Sequence, residues 1–212
     1  MRLYLSSYRF GNNPEQILKL TTGRRAAVIV NAMDGVSDKE RSEIVQTDME
    51  SLQRLGFTPE EIDLRNYFGK RLELTAKMVN FDFVWVHGGN VFVLRRAFKM
   101  SGADWVLTDM LREDQIAYGG FDAGICVLQR DLHGLELVDD AVEVPEGYIL
   151  ETPWEGLKTF RYSFAPHYKS SDPKSAAMEK VIAAYSANAT RYVTLGDGEV
   201  LVINGNEEFV DF

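Results

Sequence analysis

The chain reads as an α/β protein of the three-layer α/β/α type, with a mainly parallel central sheet covered by helices on both faces. Two observations carry this reading. Ala26-Ala-Val-Ile-Val-Asn31 and Phe81-Asp-Phe-Val-Trp-Val86 are strand-length, largely apolar runs, the pattern of strands buried on both sides. Stretches with apolar residues at helical spacing follow each of them, and such βα alternation builds parallel sheets through helical crossovers.

The elements follow in order. Leu3 to Ser6 is a short apolar strand, and Pro14 to Lys19 is expected to form the next helix. After the second strand, Ser37-Asp-Lys-Glu40 has the form of a capping box. The helix it opens sets Ile44, Val45, Met49, Leu52 and Leu55 along one face and stops at Gly56. A short strand is expected near Ile62 to Leu64, and a helix over Arg71 to Met78. Phe81 to Val86 is a strand, Val91 to Lys99 a helix, and Ile116 to Gly119 a further strand. The last third differs. Leu135 to Glu146 is acidic and turn-rich, Lys158 to Ala165 reads as a strand, and Ser175 to Ser186 as a helix. Gly196-Asp-Gly198 lies between two β-rich runs and predicts a C-terminal β-hairpin.

Composition narrows the function classes. The 212 residues suit one domain spanning 1–212, and 45% hydrophobic with 26% charged residues is ordinary for a globular protein. Net charge is −9, and no basic cluster is dense enough to track a phosphate backbone, so nucleic acid is not an expected partner. The single cysteine, Cys126, excludes an internal disulfide and points to a reducing compartment. No apolar run approaches a membrane span, and Met-Arg-Leu-Tyr-Leu at the start lacks signal-peptide character. These observations predict a cytoplasmic protein with no membrane partner.

Three stretches carry chemistry. Val86-His-Gly-Gly-Asn90 is a strand end followed by two glycines and a helix start, where backbone N–H groups can face an anionic ligand. Taken alone it is equally a plain βα turn. Gly120-Phe-Asp-Ala-Gly124 joins an apolar strand to an apolar helix start, the layout of a nucleophile elbow, with Asp122 at the central position. Read structurally, Asp122 would only cap the following helix. Ala165-Pro-His-Tyr168 ends a strand with His167, either an exposed loop histidine or a base. His87, His133 and His167 show no ligand spacing, and no Gly-x-x-x-x-Gly-Lys loop occurs, so neither metal nor cofactor is expected.

In this order and spacing the three stretches resemble peptidase family S51, which contains the aspartyl dipeptidases (peptidase E) and the cyanophycinases. The resemblance extends to Trp154-Glu-Gly-Leu157 and Asp197-Gly-Glu-Val200. It implies a class I glutamine amidotransferase-like fold and a small peptide or small-molecule ligand; a homodimer is compatible with it. It places Asp122 where the family has its nucleophilic serine and His167 where it has its general base. It sets the amides of Gly89 and Ala123 at the oxyanion hole and makes Gly88 and Asn90, beside them, substrate-binding residues. The acid orienting His167 is open among Asp131, Asp139 and Asp140, and Lys169 is a candidate for the cation expected to hold a substrate side chain. Cys126, past the elbow on an apolar helix, reads as core.

Asp122 departs from the family pattern. A serine elbow attacks because a neighbouring histidine removes the hydroxyl proton. An ordinary aspartate, with a pKa of about 3.9, has no such proton near neutrality. It attacks amides poorly, and its charge would fill the oxyanion hole itself. The expectation is a peptidase scaffold inactive or strongly impaired as written. Three alternatives remain: a non-catalytic peptide-binding or regulatory protein, a hydrolase using Asp122 against alkyl halides or epoxides, or an amidotransferase-like structural subunit serving a partner.

Overall fold

The computed structural model describes residues 1–212. Its centre is a seven-stranded sheet. The strands are β1 (Arg2–Ser6), β2 (Arg25–Ile29), β3 (Thr58–Glu61), β4 (Phe83–Val86), β5 (Ala117–Phe121), β8 (Val200–Asn204) and β9 (Glu207–Asp211), while β6 (Ser163–Ala165) and β7 (Tyr192–Thr194) form a separate parallel pair. The order across the large sheet is β3-β2-β4-β5-β1-β8-β9. The first five of these are parallel, and the last two are antiparallel additions. The helices are α1 (Ile17–Leu20), α2 (Asp38–Arg54), α3 (Arg71–Met78), α4 (Val91–Ser101), α5 (Ala103–Arg112), α6 (Ala123–Cys126) and α7 (Ser175–Ala187).

Two apolar cores lie on opposite faces of the sheet, because successive strand residues point to opposite sides. Phe83 and Trp85 enter one core with Val45 and Leu52 of α2, whereas Val84 and Val86 enter the other with α4 and α5. This three-layer arrangement is the one the apolar runs predicted.

Several boundaries follow local rules. Ser37 accepts a hydrogen bond from the Glu40 amide and caps α2, and Gly56 ends the turn beyond it at φ 87°. The third strand lies at Thr58–Glu61, earlier than expected, with Ile62 and Leu64 buried just beyond it. Pro59 is tolerated there because β3 is an edge strand. Helix α5 was not anticipated; Gly102, at φ 78°, breaks it from α4. Of the strand expected over Lys158 to Ala165, only Ser163–Ala165 forms.

The predicted hairpin exists at a different turn. Tyr192–Thr194 pairs in parallel with β6, while Val200–Asn204 pairs with β1 in the large sheet. The antiparallel hairpin is β8–β9, turning through Gly205 at φ 63°. Gly196-Asp-Gly198 therefore crosses between the two sheets. That crossing places Asp197 beside His167.

Candidate active site

The site forms at the carboxyl ends of β4, β5, β1 and β6, where open α/β sheets present their loops. Strand β5 ends at Phe121 and α6 begins at Ala123, so Asp122 makes the corner alone. Its backbone has φ 48° and ψ −117°, a conformation L-residues rarely adopt. Its side chain caps nothing in α6, which removes the helix-cap reading. The corner is tight because α6 lies against the end of β4. A Cβ on Gly124 would sit 2.2 Å from the Val86 carbonyl oxygen. Gly124→Ala is thus expected to lower stability by about 1–3 kcal/mol, read by urea denaturation. An unchanged midpoint would show that the corner has slack.

The Asp122 carboxylate is 6% exposed and held on both sides. Its Oδ2 accepts the Gly89 amide at 3.2 Å and the Lys174 ammonium at 2.7 Å. Lys174 Nζ also donates to Asp139 Oδ1 at 2.9 Å and to the Gly89 carbonyl at 2.9 Å. Asp139 Oδ2 in turn accepts the Val91 amide at 2.9 Å. Burial works against the Lys174 charge, yet Asp122 and Asp139 outweigh it and hold its pKa above the usual lysine value. Burial raises Asp139 to about 6, with Lys174 opposing and the Asp122 charge adding to the rise.

That raised pKa has a stability consequence. Between the ordinary carboxyl value of 3.8 and about 6, folded Asp139 holds its proton while the unfolded residue has lost it. Its contribution to stability is therefore largest at acid pH and is lost as pH rises through that window. Relative to the parent, Asp139→Asn should gain stability between pH 4 and 6, read from urea midpoints on a pH series. A flat or opposite difference would contradict the assignment.

On the other side of Asp122 stands His167, 2% exposed, with Nε2 3.8 Å from Asp122 Oδ1. Its Nδ1 meets Asp197 Oδ1 at 2.8 Å. Ser7, at the end of β1, braces this pair: its hydroxyl donates to Asp197 Oδ1 at 3.2 Å and accepts the His167 amide at 2.8 Å. The Tyr8 ring lies edge-on to the imidazole at 5.9 Å. A carboxylate at one ring nitrogen fixes the imidazole's orientation and leaves the other nitrogen facing the corner. Asp122, His167 and Asp197 thus form one line.

The structure brings together Asp122, His167 and the amide of Gly89. Gly88 packs under the corner; a Cβ there would meet the Phe121 ring at 2.7 Å and Asp122 Cβ at 2.9 Å. Ala123 is the first residue of α6 and buried. Asn90 turns away: its Oδ1 caps α4 through the Phe92 and Val93 amides, and its Nδ2 donates to the Asp140 carbonyl and to Glu143. It is the cap of α4, with both ends of its amide engaged within the protein. Lys169 is exposed and lies over the Tyr168 ring, away from Asp122. The cation in the site is Lys174.

None of the three candidate acids orients His167. Asp131 pairs with His133 at the surface, Asp139 with Lys174, and Asp140 is exposed and accepts the Val142 amide. The orienting acid is Asp197. Cys126 is buried in the core, as expected, and burial, then Asp122 and Asp139, push its thiol well above the usual value. No group of three or more His, Cys, Asp or Glu side chains is arranged to hold a metal ion.

The peptidase family S51 profile matches residues 10–210, nearly the whole chain. The chain belongs to peptidase family S51. Two Listeria sequences are similar to this chain. An uncharacterized peptidase of Listeria monocytogenes is 25% identical over 163 residues, covering 77% of this chain and 75% of its own length. One from Listeria innocua is 22% identical over 163 residues, covering 77% and 74%. The fold recurs in a crystal structure of a peptidase E candidate from Listeria monocytogenes, with a TM-score of 0.79 at 22% identity over 99% of this chain and 97% of that one. A peptidase from an acI-B1 Actinobacterium superposes with a TM-score of 0.68 at 13% identity, covering 99% and 86%. At these identities the two structures speak for the fold alone.

Proposed function

We propose that this chain is a family S51 scaffold that binds short peptides, Asp-Xaa dipeptides first, and hydrolyses them poorly or not at all. One observation carries the reading: Asp122 Oδ2 sits 3.2 Å from the Gly89 amide. In a serine-type elbow that amide would receive the oxygen of the tetrahedral intermediate, where preorganised donors matter most. Here the protein's own carboxylate takes the donor, and Lys174 holds it there at 2.7 Å. His167 and Asp197 remain arranged as a base and its orienting acid, facing a residue with no hydroxyl proton to give.

Isothermal titration of an Asp-Xaa dipeptide panel tests this reading. Saturable one-to-one binding supports it. Failure of every peptide in the panel to bind counts against a peptide ligand.

A second reading rests on the free side of Asp122. Oδ1 faces His167 while Lys174 holds Oδ2, which suits attack by Oδ1 on a saturated carbon, followed by His167-assisted hydrolysis of the ester. Halide release from a haloalkane panel would favour it over peptide binding. The short Lys174 contact weighs against it, because an ammonium so close lowers the carboxylate's nucleophilicity.

A further inference from the structure

A second Asp–His pair, a buried Asp48 with a half-buried His87, stands outside the Asp122–His167–Asp197 line. Asp48, on α2, is 4% exposed. Its Oδ2 accepts both Trp85 Nε1–H at 3.1 Å and His87 Nδ1 at 2.7 Å. Oδ1 receives no hydrogen bond from the protein, although Asp48 lines a cavity of about 350 Å³. His87 lines the same cavity, and its Nε2 has no protein partner. A neutral imidazole with its proton on Nδ1 presents Nε2 as an acceptor. The cavity wall thus presents two acceptors, Asp48 Oδ1 and His87 Nε2, that no group of the protein engages.

The rest of the cavity has the same polarity. Glu40 and Glu43, exposed on α2, add two carboxylates at its rim. Tyr8, Phe10 and Phe121 supply aromatic walls, whose ring faces attract cations. The one cationic side chain at the rim, Arg9, is exposed and lies over the Tyr8 ring at 5.1 Å. The cavity also adjoins the corner. Phe121 precedes Asp122, and the Tyr8 ring contacts both Phe121, at 6.1 Å, and His167, at 5.9 Å.

We propose that this cavity is a subsite for a basic side chain of a peptide bound at Asp122, its ammonium donating to Asp48 Oδ1 and its stem lying against the aromatic walls. The inference rests on the peptide-binding reading above and adds a charge preference to it.

The test is a titration comparing lysine-containing dipeptides with their norleucine isosteres, with cadaverine as a free amine. It uses the parent chain, Asp48→Asn, and the double variant Glu40→Gln/Glu43→Gln. Lysine peptides should bind at least about tenfold more tightly than norleucine ones. Asp48→Asn should reduce that preference to about threefold or less. The double variant lies on an exposed helix face, so it reports on charge even if Asp48→Asn loosens the Trp85 packing. It should cut the preference by about threefold and weaken its salt dependence. Equal binding of lysine and norleucine peptides overturns the subsite and leaves the peptide-binding reading intact. So does a preference unchanged in both variants. Asp48-dependent cadaverine binding without peptide binding keeps the ammonium subsite and overturns the peptide reading. No binding by any probe overturns both.

Discussion

Asp122→Ser is expected to hydrolyse Asp-Xaa dipeptides about a thousandfold faster than the unmodified chain, or more. The substitution does two things at once. It removes the carboxylate that accepts the Gly89 amide, freeing that donor for a substrate oxygen. It also sets a hydroxyl at the corner facing His167, whose Nε2 is 3.8 Å from the present Asp122 Oδ1. The strained backbone of residue 122 is set by the Gly120 and Gly124 contacts with Val86, so it should survive the change. Within the Asp122→Ser background, His167→Ala should abolish the gain. Asp197→Asn should remove most of the gain, because the imidazole would then be held in the wrong tautomer. A gain insensitive to both substitutions would place the chemistry elsewhere.

The second large effect is on stability. Lys174→Met should destabilise the fold by about 3–5 kcal/mol near neutral pH, read by urea denaturation. The ammonium is the counter-charge to two buried carboxylates, with side chains of Asp122 and Asp139 only 9% and 8% exposed. Removing it leaves the buried Asp122 carboxylate without its counter-charge, pushes Asp139 further toward its protonated form, and strips the Gly89 carbonyl of a donor. The remedy identifies the cause: adding Asp122→Asn and Asp139→Asn to Lys174→Met should recover most of the loss. If Lys174→Met alone is within about 1 kcal/mol of the parent, the triad is screened like a surface pair.

The sheet was legible because burial on both faces leaves a simple trace. Ala26–Val30 and Phe83–Val86 are apolar throughout, too short for a helix of ordinary length and rich in β-branched and aromatic residues. Edge and irregular elements were harder to read. β3 carries Pro59 and two glutamates and looks like no central strand, and α5 merges with α4 unless Gly102 is taken as a break. The expected hairpin turn is Gly196-Asp-Gly198, although Gly205-Asn206 is the better two-residue turn signal. That misplacement hid Asp197. Read as a turn residue, it had no reason to meet His167; read as a link between two sheets, it is carried to the end of β6.

Site residues on tight corners were visible because glycines mark them. Asp122 and Gly89 were found this way. Lys174 was not, since a lysine before a helix is the most ordinary of surface residues. Only the burial of Asp122 and Asp139 around it makes it part of the site. Asn90 misled for the opposite reason: a polar residue after two glycines looked like a ligand contact, while its capping role was equally written in the Asn-Val-Phe-Val start of α4.

The proposal that Asp122 silences a peptidase site is checked most directly by product formation by the unmodified chain. Asp-Xaa dipeptides incubated with it at high protein concentration, with free aspartate quantified over time, should yield no more product than its His167→Ala variant. Multiple turnovers by the unmodified chain, lost in Asp122→Asn and His167→Ala, would contradict the account and make Asp122 a working catalytic group.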